Sequence, residues 1–187
     1  MSSCYRAVKG DIVAESGTVR TRAVTALTEA EQEALADVLV DCVAAGASVS
    51  FMHPLPRTAA LCFWRHMANE AATGDRILVV AEDGTGIVGT VQVVLAQPEN
   101  QPHRGDVAKM LVHPRARRRG IGEALVKAAE DAARRAGKTL LVLDTASGDA
   151  ERLYQRCGWT LAGTIPDYAL LPHGGLCDTK FYYRRLG

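Results

Sequence analysis

No other segment limits the possible folds of this chain as tightly as Val107 to Val126. Val107-Ala-Lys-Met-Leu-Val112 is an apolar run that reads as a strand, and Pro114 then turns the chain. A basic loop follows, ending Arg117-Arg-Arg-Gly-Ile-Gly122, and an amphipathic helix opens there. Ile121, Leu125, Ala128 and Ala132 share one face of that helix, with Glu123, Lys127, Glu130 and Arg134 mostly elsewhere. The first turn of a helix leaves N–H groups unpaired and carries partial positive charge, so it favours a phosphate. Gly120 and Gly122 remove side chains that would hold phosphate oxygens away from those amides. Strand, basic glycine loop and helix, in that order, form a cradle for a pyrophosphate.

Arginines before a helix also occur in plain solvated turns, and two glycines at this spacing arise by chance. The preceding strand and the apolar helix set this segment apart from both. A second glycine string, Gly84-Thr-Gly-Ile-Val-Gly89, has dinucleotide-fingerprint spacing with Asp106 about twenty residues on. That fingerprint must open a helix, yet Thr90-Val-Gln-Val-Val-Leu95 is a β-forming run, so these glycines belong to a hairpin. No Gly-x-Ser-x-Gly elbow of a serine hydrolase is present.

At 187 residues the chain fits one domain with a substantial core. A net charge of +1, with Arg115 to Arg119 a local patch rather than a basic face, excludes general nucleic-acid affinity. No run approaches a membrane span, and the polar N-terminus lacks a secretory apolar region. The cysteines (Cys4, Cys42, Cys62, Cys157, Cys177) are scattered with no Cys-x-x-Cys pair, so neither a disulfide framework nor a zinc site is expected. The expected location is the cytoplasm, with no metal.

Residues 1–17 show little periodicity and read as a flexible arm before a single domain over 18–187. Val19 to Ala26 is a candidate first strand. Thr28-Glu-Ala-Glu31 is a capping-box pattern opening a helix to about Ala45. A second helix is expected from Arg57 to Ala72, followed by paired strands at Asp75 to Glu82 and Ile87 to Leu95. A polar loop leads into the motif strand, and the motif helix ends near Gly137. Thr139 to Asp144 reads as a buried strand, Gly148 to Cys157 as a helix, and Thr160 to Ile165 and Lys180 to Arg184 as the last two strands.

Asp106 to Trp159 resembles the acyl-CoA-binding region of the GNAT superfamily of N-acyltransferases, and the order of elements agrees on either side. The resemblance implies an α/β fold with a mixed, mostly antiparallel sheet of six to seven strands and about four helices. Its central parallel pair splays to admit a pantetheine arm. Acetyl-CoA or another acyl-CoA would be the co-substrate, contacted by Met110, Leu111, Val112, Arg117, Arg118, Arg119, Gly120, Ile121, Gly122, Glu123 and Ser147. Many family members have Asn where this chain has Ser147, and a hydroxyl replaces only part of that hydrogen bonding.

Acyl transfer to an amine needs a neutral nitrogen, a stabilised oxyanion and a protonated leaving thiolate. Tyr154, in Ala150-Glu-Arg-Leu-Tyr-Gln-Arg-Cys-Gly-Trp159, matches the family tyrosine near the coenzyme sulfur and is the candidate acid; its bland alternative is a packed helix tyrosine. Asp106 is the candidate base, and a solvated charge at a strand start is its alternative. Asp167, Tyr168, His173 and Asp178 would border the acceptor pocket, whereas His113 reads as a surface residue and His53 and His66 lack an evident carboxylate partner. The family's strand distortion would aim a backbone amide near Met110 and Leu111 at the acyl carbonyl; Lys109 alternates to the other face or to the pocket.

Gly46 to Met52, Asp106 to Val112 and Gly163 to Tyr168 together look most like the tabtoxin-resistance acetyltransferases, which modify an antimetabolite amino acid. That likeness suggests antibiotic resistance or secondary metabolism, with Phe51, Met52, Tyr168 and His173 on the substrate. The expected protein is a monomer or homodimer acting on a small-molecule amine, without nucleic-acid or membrane partners. Acylation of a hydroxyl, use of an acyl carrier protein as donor, and a non-catalytic coenzyme sensor stand as alternatives.

Overall fold

The computed structural model describes residues 19–187; the arm expected over 1–17 lies outside the described residues. The chain forms β1 (Arg20–Val24), α1 (Glu29–Ala44), α2 (Arg57–Thr73), β2 (Arg76–Asp83), β3 (Gly86–Val94) and β4 (Arg104–Val112). A single 3₁₀ turn (Pro114–Ala116) leads to α3 (Ile121–Arg135), β5 (Leu140–Thr145), α4 (Gly148–Arg156), β6 (Thr160–Leu170) and β7 (Leu176–Arg185). Seven strands make one sheet in the order β1-β2-β3-β4-β5-β7-β6, and β4–β5 is its parallel pair. That pair arises because the crossover through α3 returns the chain to the same edge of β4, as a strand–helix–strand unit must.

Thr28 starts α1 through a full capping box: its hydroxyl accepts from the Glu31 amide, and the Glu31 carboxylate accepts from the Thr28 amide. Leu35, Val38, Leu39 and Cys42 of α1 and Trp64 of α2 then bury against Leu78 and Val80 on one face of the sheet. Alternate residues of the same strands, Val79, Val91 and Val93, face the other way onto Ile121, Leu125 and Ala129 of α3. This two-sided packing explains the nearly unbroken burial of β3, which takes in Thr90 and Gln92 among its valines. Gly84 to Gly89 lies in the β2–β3 hairpin, where Asp83 pairs with Gly86.

The last two strands extend well beyond Thr160–Ile165 and Lys180–Arg184. Pro166 and Asp167 interrupt the alternation, and Asp167 is left-handed at φ 52°, so the register slips after Ile165. Pairing resumes at Ala169–Cys177 and Leu170–Leu176, beyond the point a period-two reading reaches. The hairpin tip meets the α1–α2 connection. His53 donates its amide to the Pro172 carbonyl at 2.9 Å, the His173 ring lies 3.1 Å from the Ala44 carbonyl, and the two imidazoles stack at 4.6 Å.

Candidate active site

β4 and β5 pair only through Arg104–Leu140, Gly105–Leu141 and Asp106–Val142, then part. Beyond Asp106 the edge of β4 facing β5 has no partner strand, and a cleft of about 790 Å³ opens there. Residues 107–112 of β4, the Ala45–Ser50 connection, the loop and first turn of α3, the end of β5 and α4 line it. The strand is also distorted, since pairing with β3 jumps from Thr90–Leu111 to Gln92–Ala108. Lys109, at φ 49°, occupies the bulge, a conformation that costs of order 1–3 kcal/mol for a side-chain-bearing residue.

At the outer end, α3 begins without any side-chain cap: its N-cap is Gly120, left-handed at φ 76° with open space on its Cβ side. The amides of Ile121, Gly122 and Glu123 lack the usual first-turn acceptors, and all three residues line the cleft. This fits a phosphate group. Gly122 also faces α4: a Cβ there would lie 2.9 Å from Leu153 Cδ2, so a side chain at this position would make Leu153 shift. The arginines also divide. Arg117 and Arg118 line the mouth, and Arg117 donates to the Val112 carbonyl at 3.3 Å. Arg119 is held by Asp83 and Arg115 by Thr85, both at the β2–β3 turn.

Inside, Met110, Leu111 and Val112 run along one wall, with Ser147 and Tyr154 opposite. Ser147 caps α4 through its carbonyl alone, leaving its hydroxyl uncommitted by the helix. Tyr154 is buried against Trp159 and Tyr182, ring centroids 5.7 and 6.2 Å away. Burial, then the nearby Asp144 carboxylate, push its phenol well above the usual tyrosine range. Asp144 lies at the exposed end of β5, and Lys109 reaches back to Ser50 Oγ at 3.1 Å.

A family model for the GNAT acetyltransferases matches residues 29–159. The chain belongs to that family. Solved GNAT-fold structures agree over nearly the whole chain. A Salmonella typhimurium protein described as an acetyltransferase, solved with its cofactor acetyl-CoA, is 20% identical at a TM-score of 0.74, covering 91% of this chain and 95% of its own. A phosphinothricin acetyltransferase from Sinorhizobium meliloti, in complex with acetyl-CoA, is also 20% identical at 0.74, covering 91% and 89%. A ribosomal-protein-alanine N-acetyltransferase from Brucella melitensis is 22% identical at 0.72, covering 88% and 98%.

Several residues singled out in this GNAT chain stand apart from the cleft lining. The Asp106 carboxylate is held by Arg104 and by Gln97 Nε2, the latter at 3.1 Å. It shares a sheet face with Val142 and thus with Asp144, two residues further along β5. Phe51 packs edge-on against Phe63 behind Lys109, Met52 is exposed, and Tyr168 stands on Phe181. His173 braces the hairpin tip. The His113 ring accepts from the Arg115 amide and so donates through Nε2 to Asp41, 2.8 Å away, fastening the loop to α1. Asp178 accepts from the Asp167 amide. Sequence reasoning passed over Asp144, although the one carboxylate of a mostly apolar strand, at the open end of a parallel pair, is where ligands gather.

Among the described residues no helix is long and apolar enough to cross a membrane, and no cluster of three or more His, Cys, Asp or Glu residues could hold a metal.

Proposed function

We propose that this protein transfers an acetyl or other small acyl group from an acyl-CoA to the amine of a small molecule. One observation carries the reading: an uncapped helix terminus behind a left-handed glycine opens onto a cleft whose inner end holds the Tyr154 phenol. Bound acetyl-CoA supplies a thioester-activated acetyl group and a thiol leaving group. The α3 amides with Arg117 and Arg118 hold its phosphates, and the distorted β4 presents the Met110 and Leu111 backbone to the acyl carbonyl. Tyr154 keeps its proton at Oη throughout the working pH range and is the donor facing the departing sulfur. Asp144, rather than the arginine-bound Asp106, is the carboxylate facing the acceptor nitrogen.

A small acceptor is supported by the likeness of three segments to the tabtoxin-resistance group and by a structural neighbour named for phosphinothricin; another neighbour is named for a ribosomal protein. The test is binding followed by turnover. Acetyl-CoA should raise the melting temperature while NAD does not, because a ligand binding only the folded state stabilises it. Amines should then release free thiol from acetyl-CoA. Stabilisation by NAD alone would overturn the reading, and coenzyme binding without thiol release across an amine panel would mark a sensor.

A further inference from the structure

Most partly buried cations of the described residues sit on a carboxylate, or, like Lys138, on two backbone carbonyls; Lys109 has neither. Arg76 pairs with Glu70, Arg104 with Asp106, and Arg22 with Glu31 and Glu82. Among the described residues no carboxylate forms an ion pair with Lys109. Its ammonium donates to Ser50 Oγ at 3.1 Å and lies 5.8 and 5.9 Å from the ring centroids of Phe51 and Phe63. Both Lys109 and Ser50 hold left-handed backbones, φ 49° and 70°, so two disfavoured conformations cooperate to seat this one charge. An ammonium has three donors, and the remaining ones have the cleft before them.

We infer that Lys109, seated on Ser50 and the Phe51 and Phe63 rings at the inner end of the cleft, binds a carboxylate carried by the acceptor amine. The inference rests on the acyl-transfer reading and narrows its substrate class to amino acids and similar acid-bearing amines. Position separates this charge from the phosphate cradle, because Lys109 lies about 10 Å down β4 from Val112, where the loop begins. Desolvation holds the Lys109 pKa down, the mark of a cation short of counter-charge. Asp144 is near enough to act on both Lys109 and Tyr154, while Arg76 adds positive charge from β2. An acceptor with one ammonium and one carboxylate matches that pair of charges. A simple amine would bring no anion of its own to Lys109, leaving it only the more distant Asp144.

The test compares each proteinogenic L-amino acid with its own carboxamide as acceptor, following thiol release from acetyl-CoA in wild type and Lys109→Met. The expected result is at least a tenfold preference in kcat/KM for the acids, arising in KM and collapsing below twofold in the variant. Carboxamides used as well as acids, or a preference that survives Lys109→Met, would overturn the assignment. In parallel, protein labelled with ¹³C at lysine Cε and bound to acetyl-CoA is titrated with glutarate and with glutaramide. The Lys109 resonance, identified by its loss in Lys109→Met, should move with glutarate alone. If the panel gives no turnover, this titration decides: an unmoved resonance overturns the Lys109 site. Failure of acetyl-CoA to bind overturns the acyl-transfer reading instead, whatever glutarate does.

Discussion

Arg119 Nη1 lies 2.8 Å from Asp83 Oδ2, so the arginine nearest Gly120 in sequence is fastened to the β2–β3 turn. Coenzyme affinity should therefore depend on its neighbour. Arg118→Gln is expected to weaken acetyl-CoA binding about tenfold, the low end for a charge-assisted hydrogen bond. Arg119→Gln should stay within about twofold. Calorimetry at one fixed ionic strength distinguishes them, and equal losses would show that Arg119 leaves Asp83 when coenzyme binds.

Asp83 itself predicts a pH dependence. Hydrogen bonds from the Thr85 hydroxyl and amide, then from Arg119, hold its carboxyl at about 2. An unfolded aspartate titrates near 3.9. Below about pH 4 the unfolded chain therefore takes up the proton first, so the stabilisation is complete above that pH and disappears as pH falls through about 2. Urea unfolding of wild type and Asp83→Asn should give a stability difference that is constant from pH 7 to 5 and shrinks from 4 towards 2. A difference that grew on acidification would contradict the network.

Tyr154→Phe keeps the ring against Trp159 and Tyr182 and removes only the hydroxyl that would give the proton. Turnover should fall roughly 10²-fold with the acetyl-CoA dissociation constant nearly unchanged, the pattern of a group acting in the transition state. Wild-type turnover, in an assay limited by chemistry, would leave solvent as the proton source.

Gly89 has no room for a side chain. A Cβ there would sit 2.9 Å from the Leu111 carbonyl oxygen and 3.1 Å from Leu125 Cδ1, where β3 passes closely under α3. Gly89→Ala should cost about 1–3 kcal/mol, as overpacking does. Gly84→Ala, at a site with nothing within 4 Å, should be nearly neutral. Chemical denaturation reads both, and a neutral Gly89→Ala would mean that the helix readily lifts.

The features legible in the sequence were those whose cause is local. Thr28 and Glu31 make their capping box within one turn, and the Gly120 turn with the apolar face of α3 announces strand, loop and helix. The tie of Arg119 to Asp83 was not legible because Asp83 is remote in sequence and nothing in the loop distinguishes Arg119 from Arg118. The second neighbour of Gly122 had no local signal, because Leu153 approaches it only once α4 has packed. The joint placement of Lys109 and Asp144 had no local signal. It depends on β5 returning beside β4 and on a bulge that seats Lys109 against the α1–α2 connection.

The contacts of His173 with Ala44 and of Pro172 with His53 close loops of well over a hundred residues, whereas β3, β4 and the start of α3 assemble from neighbours in the chain. Closing loops of that length carries an entropic cost that locally paired elements do not bear. In a chain made from its N-terminus, the strand, loop and first turn of α3 therefore exist before the residues that close this seam. In the finished protein, hydrogen exchange at the His53 amide is the expected reporter of local opening along this seam, separate from opening of the helix–strand cradle.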